Sequence, residues 1–183
     1  MDRVQLDRET GGIPPCAIIV MGVSGSGKST LGQLLATALD CPFIEADTLH
    51  DGASVAKMRA GQPLCDEDRW PWLDRLGAAL REATGTGGLA VAACSALRLC
   101  YRERLIQAVD VPTRFIMLEA GRDELARRIA SRADHYMPAS LLASQLAALE
   151  RPGSAEHALI LDATRSPEAL CDVSRDWLSG AGA

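Results

Sequence analysis

The sequence predicts an α/β domain: a five-stranded parallel sheet with helices on both faces. Three observations carry that prediction. Short apolar runs recur along the chain, segments of helical period separate them, and the runs are apolar at successive positions, as in strands buried on both sides. With 183 residues and a 48% apolar fraction the chain can bury one proper core but not comfortably two, so residues 1–183 are read as a single domain.

The candidate strands are "CAIIVM" (16–21), "PFIEA" (42–46), "LAVAAC" (89–94), "RFIMLE" (114–119) and "ALILD" (158–162). After the first, Leu31, Leu34, Leu35, Ala38 and Leu39 share one helical face; after the second, Leu73, Leu76 and Leu80 do the same. Further helices fit 96–108, 121–131, 138–149 and 166–179. "TGTGG" (84–88) reads as a loop before the third strand, and residues 1–14 and 179–183 are expected to be loose.

Composition removes several function classes. A formal charge of −5 argues against a general affinity for nucleic acid or anionic membrane. No apolar run approaches a membrane span, and "MDRVQLDRETGG" has the character of neither a signal peptide nor an anchor. Cysteines 16, 41, 65, 94, 100 and 171 form no CxxC pair and suit reduced core thiols, which makes the cytoplasm the expected compartment. Among 19 basic residues only Lys28 and Lys57 are lysines, a sign that a compact ammonium is wanted at those positions.

The first strand leads into "GVSGSGKST" (22–30), which fits G-x-x-x-x-G-K-[ST] and opens an amphipathic helix. In such a P-loop the backbone N–H groups of Gly22, Val23, Ser24, Gly25, Ser26, Gly27, Lys28, Ser29 and Thr30 turn inward around nucleotide phosphates at the positive end of a helix. Lys28 reaches the β- and γ-phosphates and the Ser29 hydroxyl ligates Mg²⁺. The chain contains no asparagine, so the guanine-reading N-K-x-D motif is absent, and the third strand ends "AACSAL" with no carboxylate for a motor-type magnesium site. Asp162 ends the last strand, where a structural or nucleotide-side role fits better than holding a metal. Asp47 in "FIEADTLH" ends the second strand, the place from which a carboxylate can take the proton of an acceptor hydroxyl. Capping of a following turn by Asp47 or Thr48 is the alternative.

Over roughly residues 16–165 the sequence resembles the thermoresistant-type gluconokinases. The resemblance rests on "GVSGSGKST", "ADTLH", "KM..G.PL.D.DR.PWL" (57–73), "CSAL...YR..L" (94–105), "FIMLE" and "H.M...LL.SQ...LE.P" (135–152, with Tyr136 between His135 and Met137). It implies a nucleoside-monophosphate-kinase-like P-loop fold with a lid at about 122–150, and Mg²⁺-dependent phosphoryl transfer from ATP to D-gluconate. By analogy with shikimate kinases, Arg69 is the expected substrate-binding arginine, with Lys57 and His50 as further candidates in a dense charged loop. Asp66 and Asp68 either orient Arg69 or receive sugar hydroxyls, and "WPWL" begins the next helix and packs it on the sheet. Ser95 either meets the acceptor or caps a helix. In the lid, Arg128 and Arg132 are expected to swing over the phosphates, and His135 falls in the family motif; His157 has no motif around it.

Four departures stand out: Ala46 replaces the usual Gly, Asp51 a Pro, Ser54 an Asn and Pro138 a Lys. The first three touch the substrate entrance and leave room for an altered acceptor preference. The family implies a homodimer, although no stripe in the sequence identifies an interface. The alternatives are a shikimate-like or other sugar-acid kinase, and a nucleotide-binding module that no longer transfers phosphate.

Overall fold

The structure, a computed structural model, describes residues 12–131 and 140–180. The order of elements is β1 (Cys16–Met21), α1 (Lys28–Ala38), β2 (Phe43–Glu45), a 3₁₀ turn (Ala46–Leu49), α2 (Gly52–Arg59), α3 (Asp66–Gly87), β3 (Leu89–Ala93), α4 (Leu99–Ala108), β4 (Thr113–Glu119), α5 (Arg122–Ala130), α6 (Ser140–Ala148), β5 (Ala158–Asp162) and α7 (Pro167–Ser179). The five strands form one parallel sheet in the order β2-β3-β1-β4-β5, with β1 at its centre.

Successive residues of β1 serve opposite faces, as the two-residue period of a strand requires. Cys16, Ile18 and Val20 join Leu31 and Leu35 of α1 and Leu170 and Leu178 of α7. Ala17, Ile19 and Met21 join Trp72, Leu73, Leu76 and Leu80 of α3 and Leu105 of α4. The sheet is thus sandwiched, and its carboxyl ends form one edge where β1 and β3 hand the chain to loops. A third apolar cluster, Val23, Leu97, Leu125, Ile129 and Leu142, seats α5 and α6 against that edge.

The boundaries of β1 and β5 coincide with the sequence reading. Strands β2, β3 and β4 shift by one residue at one or both ends, and four further readings change. Helix α3 runs through Gly85 to Gly87, where a loop was expected, because Thr84 is buried and bonds back to the Leu80 carbonyl (2.9 Å); Gly88, at φ +75°, ends the helix instead. The charged stretch 57–73 is not a loop but the end of α2, a short turn and the start of α3. Helix α2 itself was not foreseen. Ile13, expected in a loose terminus, is buried in the core. All six cysteines are free: Cys16, Cys94 and Cys171 are buried, Cys41 is partly buried, and Cys65 and Cys100 are exposed.

Gly77 sets the closeness of α3 and α4, since a Cβ there would lie 2.4 Å from the Cβ of Ala108. Overpacking of that kind costs about 1–3 kcal/mol, more than the ~1 kcal/mol that helix propensity returns. Gly77→Ala should therefore lower the urea midpoint, and adding Ala108→Gly should restore it; an unchanged midpoint would mean that the two helices are not held at this spacing.

Candidate active site

β1 delivers the chain into the P-loop at the carboxyl edge of the sheet. Gly22 adopts φ +137°, and a Cβ there would come within 2.6 Å of the Leu118 carbonyl oxygen on β4. Gly27, at φ +98°, is the left-handed N-cap from which α1 starts. The Lys28 ammonium donates to the Val23 carbonyl (3.0 Å), which folds the side chain back over the loop. Ser29 and Thr30 are exposed on the first turn of α1, and the buried Ser26 hydroxyl has no partner among the described residues. No group of three or more His, Cys, Asp or Glu that could cage a metal occurs among the described residues.

Beside the P-loop lies a hollow of about 30 Å³ lined by Lys28, Asp47, His50, Arg69, Ser95 and Gln145, among others. Asp47 is half-buried within the 3₁₀ turn after β2. It does not cap α2: Asp51 does, accepting from the Ser54 N–H at 2.7 Å. Thr48 donates its hydroxyl to the Glu45 carbonyl. Ser95, beyond the end of β3, accepts from the Gly22 N–H through its carbonyl (3.3 Å), and the N-cap of α4 is Arg98, not Ser95.

His50 stacks on Trp72 with ring centroids 4.3 Å apart. Burial pushes its imidazole below the ordinary 6.5, with Asp47 opposing and Arg69 assisting. Trp72 is itself buried and donates its indole N–H to the Ala46 carbonyl (2.7 Å), while Trp70 sits edge-on to Tyr101. Both tryptophans are therefore framework.

Arg69 has no hydrogen bond or ion pair among the described residues; its guanidinium lies 5.6 Å from the centre of the Tyr101 ring. The neighbouring acids do not orient it. Asp66 accepts from Arg98 and from the Tyr101 hydroxyl, and Asp68 accepts from Lys57 (2.6 Å) and from the N–H and thiol of Cys65. The Lys57 bond, followed by those from Cys65, holds the Asp68 carboxyl down at about 2. Lys57 is thus engaged beside the hollow rather than lining it.

On the other side of the P-loop a cavity of about 250 Å³ is bounded by Thr30 and Gly27, by Arg128 of α5 and by Arg165. Arg128 is fixed by Glu124 (2.6 Å) and by the Ala163 carbonyl (2.8 Å). Arg132, His135 and Pro138 lie outside the described residues. Asp162 closes a turn, accepting from the Thr164 N–H (2.9 Å) and hydroxyl (2.8 Å), and His157 is exposed.

Comparison with known proteins gives this geometry a family. The profile of a family described as "AAA domain" matches residues 18–152. A gluconokinase of Gluconobacter oxydans is 45% identical over 161 residues, covering 88% of this chain and 90% of its own. The chain belongs to the gluconokinase family. Among solved structures, a gluconokinase from Sinorhizobium meliloti superposes with a TM-score of 0.81 at 38% identity, covering 91% of this chain and 93% of its own. An unliganded sugar kinase from Janibacter reaches 0.84 at 39% identity, covering 90% and 95%.

Against the gluconokinase pattern, two of the departures have a structural account. Asp51 and Ser54 act together as a cap and its partner at the start of α2. The residue most clearly missed in the sequence is Gln145 of α6: it is buried, and its Oε1 accepts the Ser24 N–H at 2.7 Å, joining α6 to the P-loop. Its only sequence signal was its place in the gluconokinase segment "SQLAALERPG". Arg165 was missed because a single arginine after an edge strand carries no pattern.

The depressed titration of His50 has a defined consequence. Below about pH 6.5 the unfolded chain takes up a proton that folded His50 resists, so this histidine withdraws stability as the pH falls from 6.5 through its folded value. Urea midpoints measured from pH 7 to pH 5 should therefore fall more steeply for the natural protein than for His50→Gln. Parallel profiles would remove His50 as the source.

Proposed function

We propose that the protein is a gluconokinase that transfers the γ-phosphoryl group of ATP to the 6-hydroxyl of D-gluconate, giving 6-phospho-D-gluconate and ADP. The observation that carries this reading is the convergence on one hollow of Asp47, Lys28 and the uncommitted Arg69. An acid, a phosphate-side cation and a cation without an internal partner are what a negatively charged polyol needs.

In this reading the acceptor's 6-hydroxyl sits against Asp47, which takes its proton as the oxygen–phosphorus bond forms and the bond from the γ-phosphorus to the β,γ-bridging oxygen breaks. Residues 22–30 of the P-loop bind the phosphates, Lys28 offsets charge on the β- and γ-oxygens, and Arg128 and Arg132 do so from the lid. Ser29 would hold the Mg²⁺, which neutralises phosphate charge when bound. Arg69 binds the carboxylate, and Ser95, His50 and His135 contact the polyol or border it. Lys57 acts one step back, by keeping Asp68 occupied. The setting is a small-molecule enzyme of the cytoplasm, with a homodimer as the family's arrangement. No helix among the described residues is long and apolar enough to cross a membrane.

Initial rates of ADP formation from Mg²⁺-ATP with D-gluconate, shikimate, glucose and a nucleoside monophosphate test the reading. Stimulation by gluconate well above the others is expected. A response to shikimate alone would transfer the machinery to another acid, and no response to any acceptor would leave a nucleotide-binding module. Asp47→Asn should lower kcat by about 10²–10⁴-fold with little change in ATP affinity; undiminished turnover would remove Asp47 as the base.

A further inference from the structure

The hollow around Asp47 borders the P-loop at Ser24 and Lys28. It shares Arg69, Ser144 and Gln145 with a neighbouring cleft of about 400 Å³ between the start of α3 and α6, whose wall also carries Asp66, Arg98 and Tyr101. Arg69 stands where the two spaces meet. An acceptor whose reacting hydroxyl meets Asp47 can place its far end in this cleft, against Arg69.

Arg69 is surrounded by carboxylates on its own helix, and a free guanidinium there is unexpected. Asp66, at i−3, is the natural partner on the helix surface, whereas Glu67, at i−2, does not face it. Asp66 is nevertheless turned away. Both of its oxygens accept from Arg98 Nη1 at 3.0 Å, and one also accepts from the Tyr101 hydroxyl. Burial, then this bond, push the Tyr101 phenol up to about 12, so it remains a donor across the working pH range. Asp68, the remaining acid of the turn, is committed to Lys57 and Cys65.

We propose that Arg98 and Tyr101 are positioning residues that hold Asp66 away from Arg69, keeping the Arg69 guanidinium available for the carboxylate of the acceptor in the cleft. The inference rests on the gluconate reading above. Without Arg98, Asp66 falls back on Arg69 one turn along and competes with the substrate as an internal carboxylate. The cluster therefore acts on acceptor affinity and leaves the donor side and the reacting atoms alone.

Steady-state kinetics of Arg98→Met, and of Arg98→Met combined with Asp66→Asn, test the proposal. Arg98→Met should raise the KM for gluconate roughly tenfold or more, with kcat and the KM for ATP within about threefold of the natural protein. Adding Asp66→Asn removes the competing charge and should bring the gluconate KM most of the way back. An unchanged KM in Arg98→Met would overturn the proposal. So would a raised KM that Asp66→Asn fails to rescue, since Arg98 would then bind the acceptor itself or simply support the fold. Absence of gluconate turnover in the natural protein is a separate outcome that overturns the acceptor assignment.

Discussion

One buried cation ties the working edge of this protein together. Arg102 on α4 is 1% exposed, and its guanidinium donates to the carbonyls of Ala96 (3.2 Å), Leu97 (3.3 Å) and Glu150 (3.0 Å) and to the carboxylate of Glu156. A charge removed from water costs several kcal/mol unless every donor is met, and here the fork of a guanidinium meets backbone and carboxylate at once. The three carbonyls belong to two different segments: the turn after Ser95, and the chain leaving α6. Glu150 reinforces the junction, its N–H donating to the Leu97 carbonyl and its carboxylate accepting the Leu99 N–H at the start of α4. Ala96 adopts φ +42°, an unfavourable conformation for a residue with a Cβ, and it is held there by this surround. The wall that carries Ser95 and the helix that carries Gln145 are thereby referred to the same point.

The division of charge around the acceptor space follows a consistent rule. Two carboxylates near Arg69, Asp66 and Asp68, already have cationic or hydroxyl partners, and each of these pairings is between residues distant in sequence: Asp66 with Arg98 and Tyr101, Asp68 with Lys57. The donor side is organised differently. There the backbone supplies the positive field, through Gly22 and Gly27 in conformations that other residues avoid, and side chains are few. Asp47 stands between the two regions on a 3₁₀ turn backed by the stacked pair Trp72 and His50.

What could be read in the sequence was whatever local chemistry decides. Strand β1 is apolar at all six positions because both faces are covered, and β5 announces itself by "ALILD"; both were bounded correctly. The P-loop is legible because its glycines are required by backbone conformation. Helix α2 was not legible, since its residues show no apolar stripe and its start depends on the Asp51 cap. The extension of α3 through two glycines was hidden for the opposite reason: intrinsic preference argued for a loop, and the buried Thr84 prevailed. In the candidate site, Asp47 and Arg69 could be singled out by position and resemblance, while the commitments of Asp66, Asp68 and Lys57 are settled by partners 11 to 35 residues away. Gln145, 121 residues from the N–H it meets, belongs to the same class.

The measurement that bears most directly on the central claim is identification of the product formed from D-gluconate and Mg²⁺-ATP by ³¹P and ¹³C magnetic resonance. The account predicts a single phosphomonoester whose phosphorus couples to carbon 6, formed in equal amount with ADP. Phosphate on another carbon, or ADP released with inorganic phosphate and no sugar ester, would contradict it.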